Sequence, residues 1–233
     1  MKSSVTDQPK AELLHPLGRW KNLKSILAFG DSNTWGFVPG TKQMERYPWD
    51  VRWTGILQKK CEHVRIIEEG LCGRTTAFED DLRPGRRGAS ALSLILESHR
   101  PLDAVMIMLG TNDCKSVYSV SANTIGKGMK LCLDEIEKYI PPQNILLISP
   151  ILLGEDVWRD DKDPEFGKQS VIVSRELKHV YQRIADERGT AFLAASDYVI
   201  ASDADCEHMD AEGHGRFADV LYEKLREMGL IRE

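Results

Sequence analysis

The stretch that decides the fold is SILAFGDSNTWG, residues 25–36. Its first part, Ser25–Phe29, is mostly apolar and predicts a short buried strand. The pattern breaks at Gly30-Asp31-Ser32, so the serine follows directly on the carboxyl end of that strand. Parallel α/β sheets carry their ligands and reactive groups at this end. Aspartate and serine also cap helices, so the triplet is informative only together with two later motifs, Gly110-Thr111-Asn112-Asp113 and Asp205-Cys206-Glu207-His208.

Four further strand-like runs follow along the chain, and amphipathic helical patterns lie between them. The predicted strands after the first are Val64–Glu68, Ala104–Leu109, Asn144–Ser149 and Ala191–Ala195. Apolar residues repeat with helical spacing in four segments, around Leu92, Met129, Leu177 and Leu221. This alternation predicts an α/β fold in three layers, α/β/α, with a five-stranded parallel sheet between the helices.

Length and composition favour one domain, residues 23–233, preceded by an N-terminal arm, residues 1–22, which is either loose or a strap over a neighbouring subunit. The net charge of −5 argues against nucleic-acid binding, and no apolar run approaches the length of a membrane span. The first 22 residues lack the apolar core of a secretory signal, and the five cysteines form no paired framework. We therefore expect a cytoplasmic protein with reduced thiols and without nucleic-acid or membrane partners.

Two connections are long for a compact domain, and long loops of this kind are usually functional or disordered. The first, Pro39–Val51, follows the serine motif, and the second, Pro150–Gly167, follows the fourth strand. Their aromatic residues favour a role in the walls of a pocket.

The three motifs together predict nucleophilic catalysis by serine, which needs a nucleophile, a base, a group that orients the base and donors for the oxyanion. Ser32 is the candidate nucleophile and His208 the candidate base. Asp205, three residues before the histidine, can orient the imidazole and stabilise its cation. We expect the oxyanion to be held by the N–H groups of Ser32 and Gly73 and by the side-chain amide of Asn112.

Taken in order, the motifs resemble the four blocks of the SGNH/GDSL hydrolase family. The matching segments are Gly30-Asp31-Ser32, the glycine at 73, Gly110-Thr111-Asn112-Asp113 and Asp205-x-x-His208. The resemblance implies a flavodoxin-like sheet and a serine esterase that needs no metal or other cofactor. It also supports the roles given above to the serine, the histidine, the aspartate and the oxyanion donors.

A closer similarity is to the bacterial arylesterase/acyltransferase branch, carried by Phe29–Val38, residues 50–55, 67–71 and 74–76, and Met108–Asp113. It implies hydrolysis of short-chain acyl esters, notably acetyl and aryl esters, with acyl transfer to alcohols beside water, and a homo-oligomer. The chain departs from many relatives at Asn33, where leucine is common, and at Glu69, where asparagine is common. Some members of the branch carry alanine in place of Gly73, and a backbone donor tolerates that change.

Other functions on the same scaffold remain open. A carbohydrate O-deacetylase is one alternative, and a thioesterase or lysophospholipase is another. A binding protein without catalytic activity is a third possibility, disfavoured because all four catalytic groups are present. Chain-length profiling would separate the enzymes, because long acyl chains need an apolar groove and sugars need a polar one.

Several residues near the motifs have competing interpretations. Asp31, Trp35 and Lys115 are candidate substrate-binding residues, although Asp31 and Asp113 also fit acceptors that hold loops through backbone N–H groups. His214 is the rival base, but a structural contact suits it better because it lacks an aspartate at the spacing of Asp205. Four residues could shape the acyl pocket, contact a subunit or simply pack in the core: Arg52, Trp53, Arg74 and Trp35. A metal site built from Asp203, Asp205, Glu207 and His208 matches no known ligand pattern, and we expect none.

Overall fold

A computed structural model describes residues 23–61 and 63–231 of the chain. The predicted N-terminal arm, residues 1–22, lies outside the described residues. Within them, no helix is long and apolar enough to cross a lipid bilayer.

Five parallel strands form one sheet in the order β2-β1-β3-β4-β5. The strands are β1 (Lys24–Gly30), β2 (Val64–Gly70), β3 (Ala104–Met108), β4 (Ile145–Ser149) and β5 (Ala191–Ala194). All five predicted strands are confirmed, with ends within two residues of the expected ones. The order reverses between β1 and β3, and doubly wound sheets bind their ligands beside such a reversal.

Helices cover both faces of the sheet and complete the predicted three-layer α/β/α architecture. They are α1 (Ser32–Trp35), α2 (Trp53–Lys60), α3 (Gly88–Ser98), α4 (Ala122–Ile136), α5 (Lys168–Arg188) and α6 (Ala211–Glu227). Helices α3, α4 and α5 pack on one face and α2 and α6 on the other, each over its own apolar core.

The two cores explain why the strands are apolar along their whole length. Successive side chains of a strand point to opposite faces, so Leu27 and Phe29 lie in the core below α3–α5, whereas Ile26 and Ala28 lie in the core below α2 and α6. A sheet that is covered on both sides has no solvent-facing position in its central strands. Accordingly, all five residues of β3 are buried.

The carboxyl ends of β1, β2 and β3 lie side by side, because Gly30 pairs with both Gly70 and Met108. The serine motif, the glycine turn and the asparagine motif follow these three ends in the chain. The two long connections predicted from the sequence are present between Pro39 and Val51 and between Pro150 and Gly167.

Candidate active site

Ser32 opens the short helix α1 directly after β1. The side chain of Asp31 accepts a hydrogen bond from the N–H of Asn33 (3.0 Å), which caps the helix and fixes the turn. The helix ends after one turn at Gly36, whose φ of 87° lies in the left-handed region that favours glycine. This geometry places the serine, which is itself buried, at the carboxyl edge of the sheet.

A continuous hydrogen-bonded chain joins the serine to a histidine and an aspartate. The distance from Ser32 Oγ to His208 Nε2 is 2.8 Å, and that from His208 Nδ1 to Asp205 Oδ2 is also 2.8 Å. These two contacts fit an imidazole that carries its proton on Nδ1 and accepts the serine hydroxyl proton at Nε2. The structure therefore brings together the three side chains that the sequence predicts to form the triad.

The turn between the aspartate and the histidine is tight and well bonded. Asp205 Oδ1 accepts the N–H groups of Glu207 (3.0 Å) and His208 (2.9 Å), and Oδ2 also accepts the N–H of Gly40 (3.1 Å). Cys206 completes the turn with a φ of 63°, which is unusual for a residue other than glycine. Because Gly40 lies in the connection after the serine, that loop helps to hold the carboxylate.

Electrostatics favour the charged forms of both groups. Burial pushes the pKa of His208 down, but the nearby carboxylates of Glu207, Asp205 and Asp31 outweigh it, so the net pKa is raised. Burial pushes the pKa of Asp205 up, but hydrogen bonds from the imidazole and from backbone N–H groups outweigh it, so its pKa is lowered. The ring of Phe37 stacks on the imidazole with centroids 4.4 Å apart.

One amide side chain fastens the histidine turn to the serine helix. Asn33 Nδ2 donates to the carbonyl oxygen of Glu207 (3.3 Å), and Asn33 Oδ1 accepts the N–H of Met209 (2.9 Å). The carbonyl of Asn33 in turn accepts from the indole nitrogen of Trp53 (3.1 Å). Asn33 is a residue at which the sequence departs from many relatives. Here both the nitrogen and the oxygen of its side-chain amide form hydrogen bonds.

Arg74 connects the backbone segments that carry the three expected oxyanion donors. Arg74 Nη1 donates to the carbonyl oxygen of Gly30 (2.8 Å), and its own carbonyl oxygen accepts from Asn112 Nδ2 (3.2 Å). Ser32 is the first residue of α1, where an N–H has no acceptor within the helix. Gly73 has a φ of 82°, and its N–H donates no hydrogen bond to any residue between 23 and 231 that the structure describes.

Arg74 is a structural tie. It is buried, its guanidinium lies 4.1 Å from the centre of the Phe29 ring, and it also bonds the carbonyl of Glu69. The guanidinium of Arg52 likewise donates a hydrogen bond to the carboxylate of Glu68. For both arginines the structure therefore favours a packing role over a role in the acyl pocket.

Charged side chains form a rim beside the glycine turn. The guanidinium of Arg83 lies against Gly73, so a methyl group at residue 73 would come within 2.9 Å of the guanidinium carbon. Arg83 pairs with Asp80 (3.0 Å) and lies 3.9 Å from Glu165, which also pairs with Lys115. The rim thus joins three loops through alternating charges.

The proposed substrate-binding residues differ in their surroundings. Asp31 is fully buried, and burial raises its pKa to about 6 although the Asn33 N–H lowers it. Trp35 is half-buried, with the guanidinium of Arg46 5.1 Å from the centre of its ring. Lys115 is held by its ion pair on the rim. Substrate contacts by Asp31, Trp35 and Lys115 stay predictions.

Asp113 and His214 make structural contacts. Both carboxylate oxygens of Asp113 accept the N–H of Thr76 at 3.0 Å, and burial raises the pKa of this carboxyl to about 7. His214 is fully buried in the first turn of α6 and accepts the N–H of Trp53 at Nδ1 (3.3 Å).

In the described part of the chain, no group of three metal-binding side chains could hold an ion.

Sequence reasoning missed four contacts in the site: the Asn33 clamp, the Phe37 stack, the Arg83 cover on Gly73 and the position of Glu207. The Oε1 atom of Glu207 lies 3.8 Å from His208 Nε2. The only signal for it was its place between the aspartate and the histidine, where a charged residue has no obvious structural task.

Comparisons with known proteins agree with the geometry. The sequence profile of the GDSL-like lipase/acylhydrolase family matches residues 28–216. The carbohydrate acetylesterase Est24 from Sinorhizobium meliloti is 33% identical, with a TM-score of 0.80 over 88% of this chain and 99% of that one. The aryl esterase from M. smegmatis is 31% identical, with the same TM-score and the same coverage of both chains. No curated protein sequence matches the chain significantly.

The chain therefore belongs to the GDSL-like lipase/acylhydrolase family. Its fold is that of the SGNH hydrolases, and it is an ester-hydrolysing enzyme.

Proposed function

We propose that this enzyme hydrolyses short-chain carboxylic esters, notably acetyl esters, through an acyl-enzyme formed on Ser32. The observation that carries the proposal is the pair of 2.8 Å contacts that joins Ser32 Oγ, His208 and Asp205. A serine that shares its proton with an imidazole backed by a carboxylate is the arrangement that nucleophilic ester cleavage needs.

In acylation, Ser32 Oγ attacks the ester carbonyl carbon while its proton passes to His208 Nε2. The carbonyl oxygen becomes an oxyanion, which the N–H groups of Ser32 and Gly73 and the amide of Asn112 stabilise. Asp205 balances the charge of the imidazolium. His208 then gives its proton to the leaving alkoxide, and the bond from carbon to the leaving oxygen breaks.

In deacylation, a water molecule attacks the acyl carbon and gives its proton to His208 Nε2. The second tetrahedral intermediate collapses, the bond to Ser32 Oγ breaks, and the serine recovers its proton from the imidazolium. An alcohol can take the place of water, and the product is then a new ester. Acyl transfer to alcohols therefore requires no additional catalytic group.

The charged rim argues for a substrate with a short acyl chain. Arg83, Glu165 and Lys115 lie beside the glycine turn, where a long alkyl chain would have to be desolvated against ions. Aryl acetates are therefore expected substrates, and the similarity to the M. smegmatis aryl esterase supports them. A thioesterase or lysophospholipase for long chains is disfavoured for the same reason.

A carbohydrate acetylesterase is the second candidate function. The charged rim of Arg83, Glu165 and Lys115 supplies polar groups for sugar hydroxyls. The similarity to Est24, described as a carbohydrate acetylesterase, gives this candidate the same support as the first.

Three further properties belong to the proposal. We propose that residues 23–233 form one catalytic domain preceded by an arm, that the enzyme is a homo-oligomer, and that it works in the cytoplasm. The five cysteines are all free and buried, which suits a reducing compartment.

Labelling with an organophosphate ester, followed by peptide mass spectrometry, tests the nucleophile. We expect one phosphoryl adduct on Ser32 and complete loss of hydrolysis. Ser32→Ala should be unlabelled and inactive while melting at the same temperature as the wild type. An adduct on another residue, or full activity of the Ser32→Ala variant, would refute the mechanism.

A series of p-nitrophenyl esters from acetyl to dodecanoyl tests the substrate class. We expect kcat/KM to be highest for acetyl and to fall steeply beyond four carbons. Release of acetate from acetylated xylose at a rate near that for phenyl acetate would favour the second candidate. A maximum at long chains would contradict both candidates.

A further inference from the structure

The carboxylate of Glu207 is a buried ionisable group beside the triad that the mechanism above leaves without a task. Its Oε1 atom lies 3.8 Å from His208 Nε2, on the side of the ring that faces the serine, and its side chain is 6% exposed. No hydrogen-bond donor among residues 23–61 and 63–231 reaches this carboxylate. A carboxylate with so little contact with water is costly unless a positive charge lies nearby, and protonated His208 can supply that charge.

The charges around the Glu207 carboxylate and the His208 imidazole are unevenly distributed. Burial and the carboxylates of Asp163 and Asp205 raise the pKa of Glu207, whereas His208 and Lys115 lower it. The thiol of Cys72 also faces this carboxylate. Lys115 is already paired with Glu165, so the imidazole is the partner that Glu207 can stabilise when it is protonated.

The imidazole also has its own set of neighbours. The carboxylates that face it are Asp205 at Nδ1, Glu207 near Nε2 and, further away, Asp31, whereas the ring of Phe37 covers one side without charge. Serine triads use a carboxylate at Nδ1. Here a second carboxylate lies near the other nitrogen, where the proton of Ser32 arrives.

We propose that Glu207 is a positioning residue that stabilises protonated His208 from the Nε2 side and thereby sets the pH range in which the enzyme works. The proposal rests on the proposed function, in which the imidazole is the base for Ser32.

Two opposite effects on the rate follow from this placement. In the free enzyme, the negative charge of Glu207 keeps a proton on His208, so a higher pH is needed before the imidazole can act as a base. In the transition state, the same charge stabilises the imidazolium that forms as Ser32 attacks. Burial raises the pKa of Glu207 itself to about 7, so this charge is present only above that pH. Removing it should therefore raise kcat/KM on the acid limb above pH 7 and lower kcat/KM on the alkaline plateau.

The pH profile of a neutral isostere tests this inference. For Glu207→Gln, we expect the acid limb of kcat/KM for phenyl acetate to move down by at least about one pH unit. With a Brønsted slope near one half, the variant should be roughly threefold faster than the wild type on the acid limb above pH 7, where Glu207 is ionised, and roughly threefold slower on the alkaline plateau. The two profiles should therefore cross.

Asp203→Asn is the matched control. Its exposed side chain lies on the same loop, and the substitution removes the same charge without touching the imidazole. We expect its profile to coincide with that of the wild type. An acid limb at the same pH in Glu207→Gln, or an equal loss of rate at every pH, would overturn the proposal.

A direct titration covers the case in which Glu207→Gln is too slow to assay. In a Ser32→Ala background, the His208 resonances of 15N-labelled protein should titrate at lower pH when Glu207 is replaced by glutamine, and Glu207→Asp should restore part of the difference. Equal midpoints in all three proteins would overturn the proposal. If the wild type fails to label on Ser32, the proposed function fails, and this outcome is separate from a failure of the pH shift.

Discussion

At the scale of single residues, we expect Asn112 to combine two tasks in one amide group. One proton of Nδ2 is engaged with the carbonyl of Arg74 (3.2 Å), which fixes the plane of the amide. We expect the other proton to be available for the oxyanion. A donor held in this way needs no reorganisation when charge develops, and such preorganisation is the main source of its catalytic effect.

Asn112→Ala should therefore lower kcat by roughly a hundred- to a thousand-fold, with a small change in KM. The substitution also removes the bond to Arg74, so stability must be measured in parallel. Asn144→Ala is the control, because Asn144 makes a similar amide bond to the carbonyl of Asp103 (2.9 Å) away from the proposed site. A kcat within threefold of the wild type would remove Asn112 from the oxyanion hole.

His214 makes a second residue-scale prediction, which concerns stability. Burial lowers the pKa of His214 to about 4, from 6.5 in an unfolded chain. Between these two values the unfolded chain binds a proton that the folded chain does not, so stability falls as the pH falls from 6.5 to 4. The expected slope is about 1.4 kcal/mol per pH unit.

Urea unfolding of the wild type and His214→Gln at several pH values measures this slope. The difference in unfolding free energy between them should shrink as the pH falls through that window. Ile172→Val, a non-ionisable change at an exposed position on α5, should show a constant difference from the wild type. A constant difference for His214→Gln as well would mean that the imidazole binds its proton as readily in the folded enzyme as in the unfolded chain.

At the scale of elements, the serine helix and the histidine turn behave as one unit because the Asn33 amide joins them. Asn33→Leu would leave the carbonyl of Glu207 and the N–H of Met209 without these partners. Each unsatisfied buried group costs about 1–3 kcal/mol.

We therefore expect Asn33→Leu to lower the unfolding free energy by about 2 kcal/mol or more, and to reduce kcat by loosening His208. The exposed Asn123 on α4 provides the control variant Asn123→Leu, which should change neither quantity much. Wild-type stability and rate in Asn33→Leu would show that the turn is held by its own hydrogen bonds alone.

The strands and helices were predictable from the sequence because each depends on a local pattern. β3 is a continuous apolar run, and α4 repeats its apolar residues with helical spacing. The pairing of Asp205 with His208 was also predictable, since three residues of one turn separate them. The Asn33 clamp and the Phe37 stack were not, because they join positions more than 170 residues apart and no local period encodes such a contact.

The position of Glu207 could not be predicted from the sequence, for a different reason. Its neighbours in sequence are known, but its distance to the imidazole depends on the backbone of the turn, including the left-handed Cys206. Likewise, the sequence permits alanine at residue 73, whereas the Arg83 guanidinium occupies the space for its methyl group. Both features depend on packing between loops, which the motif pattern does not specify.

At the scale of the whole molecule, among the described residues the two apolar cores are made of residues from 26 to 231. If residues 1–22 form the proposed arm, removing them should leave the melting temperature within about 3 °C of the full chain and leave kcat for phenyl acetate unchanged. Sedimentation velocity of both forms would separate the two interpretations of the arm. An arm that straps neighbouring subunits predicts a smaller assembly after its removal, whereas a loose arm predicts no change.

The proposed nucleophile follows the first strand and the proposed base follows the fifth, 176 positions later. A break in the connection between Pro150 and Gly167 would give two fragments, one with the hydroxyl and the other with the imidazole and its carboxylate. Neither fragment alone could cleave a chromogenic ester. Attached to two proteins of interest, such fragments would develop colour only where those proteins meet, which makes this topology a starting point for a split reporter.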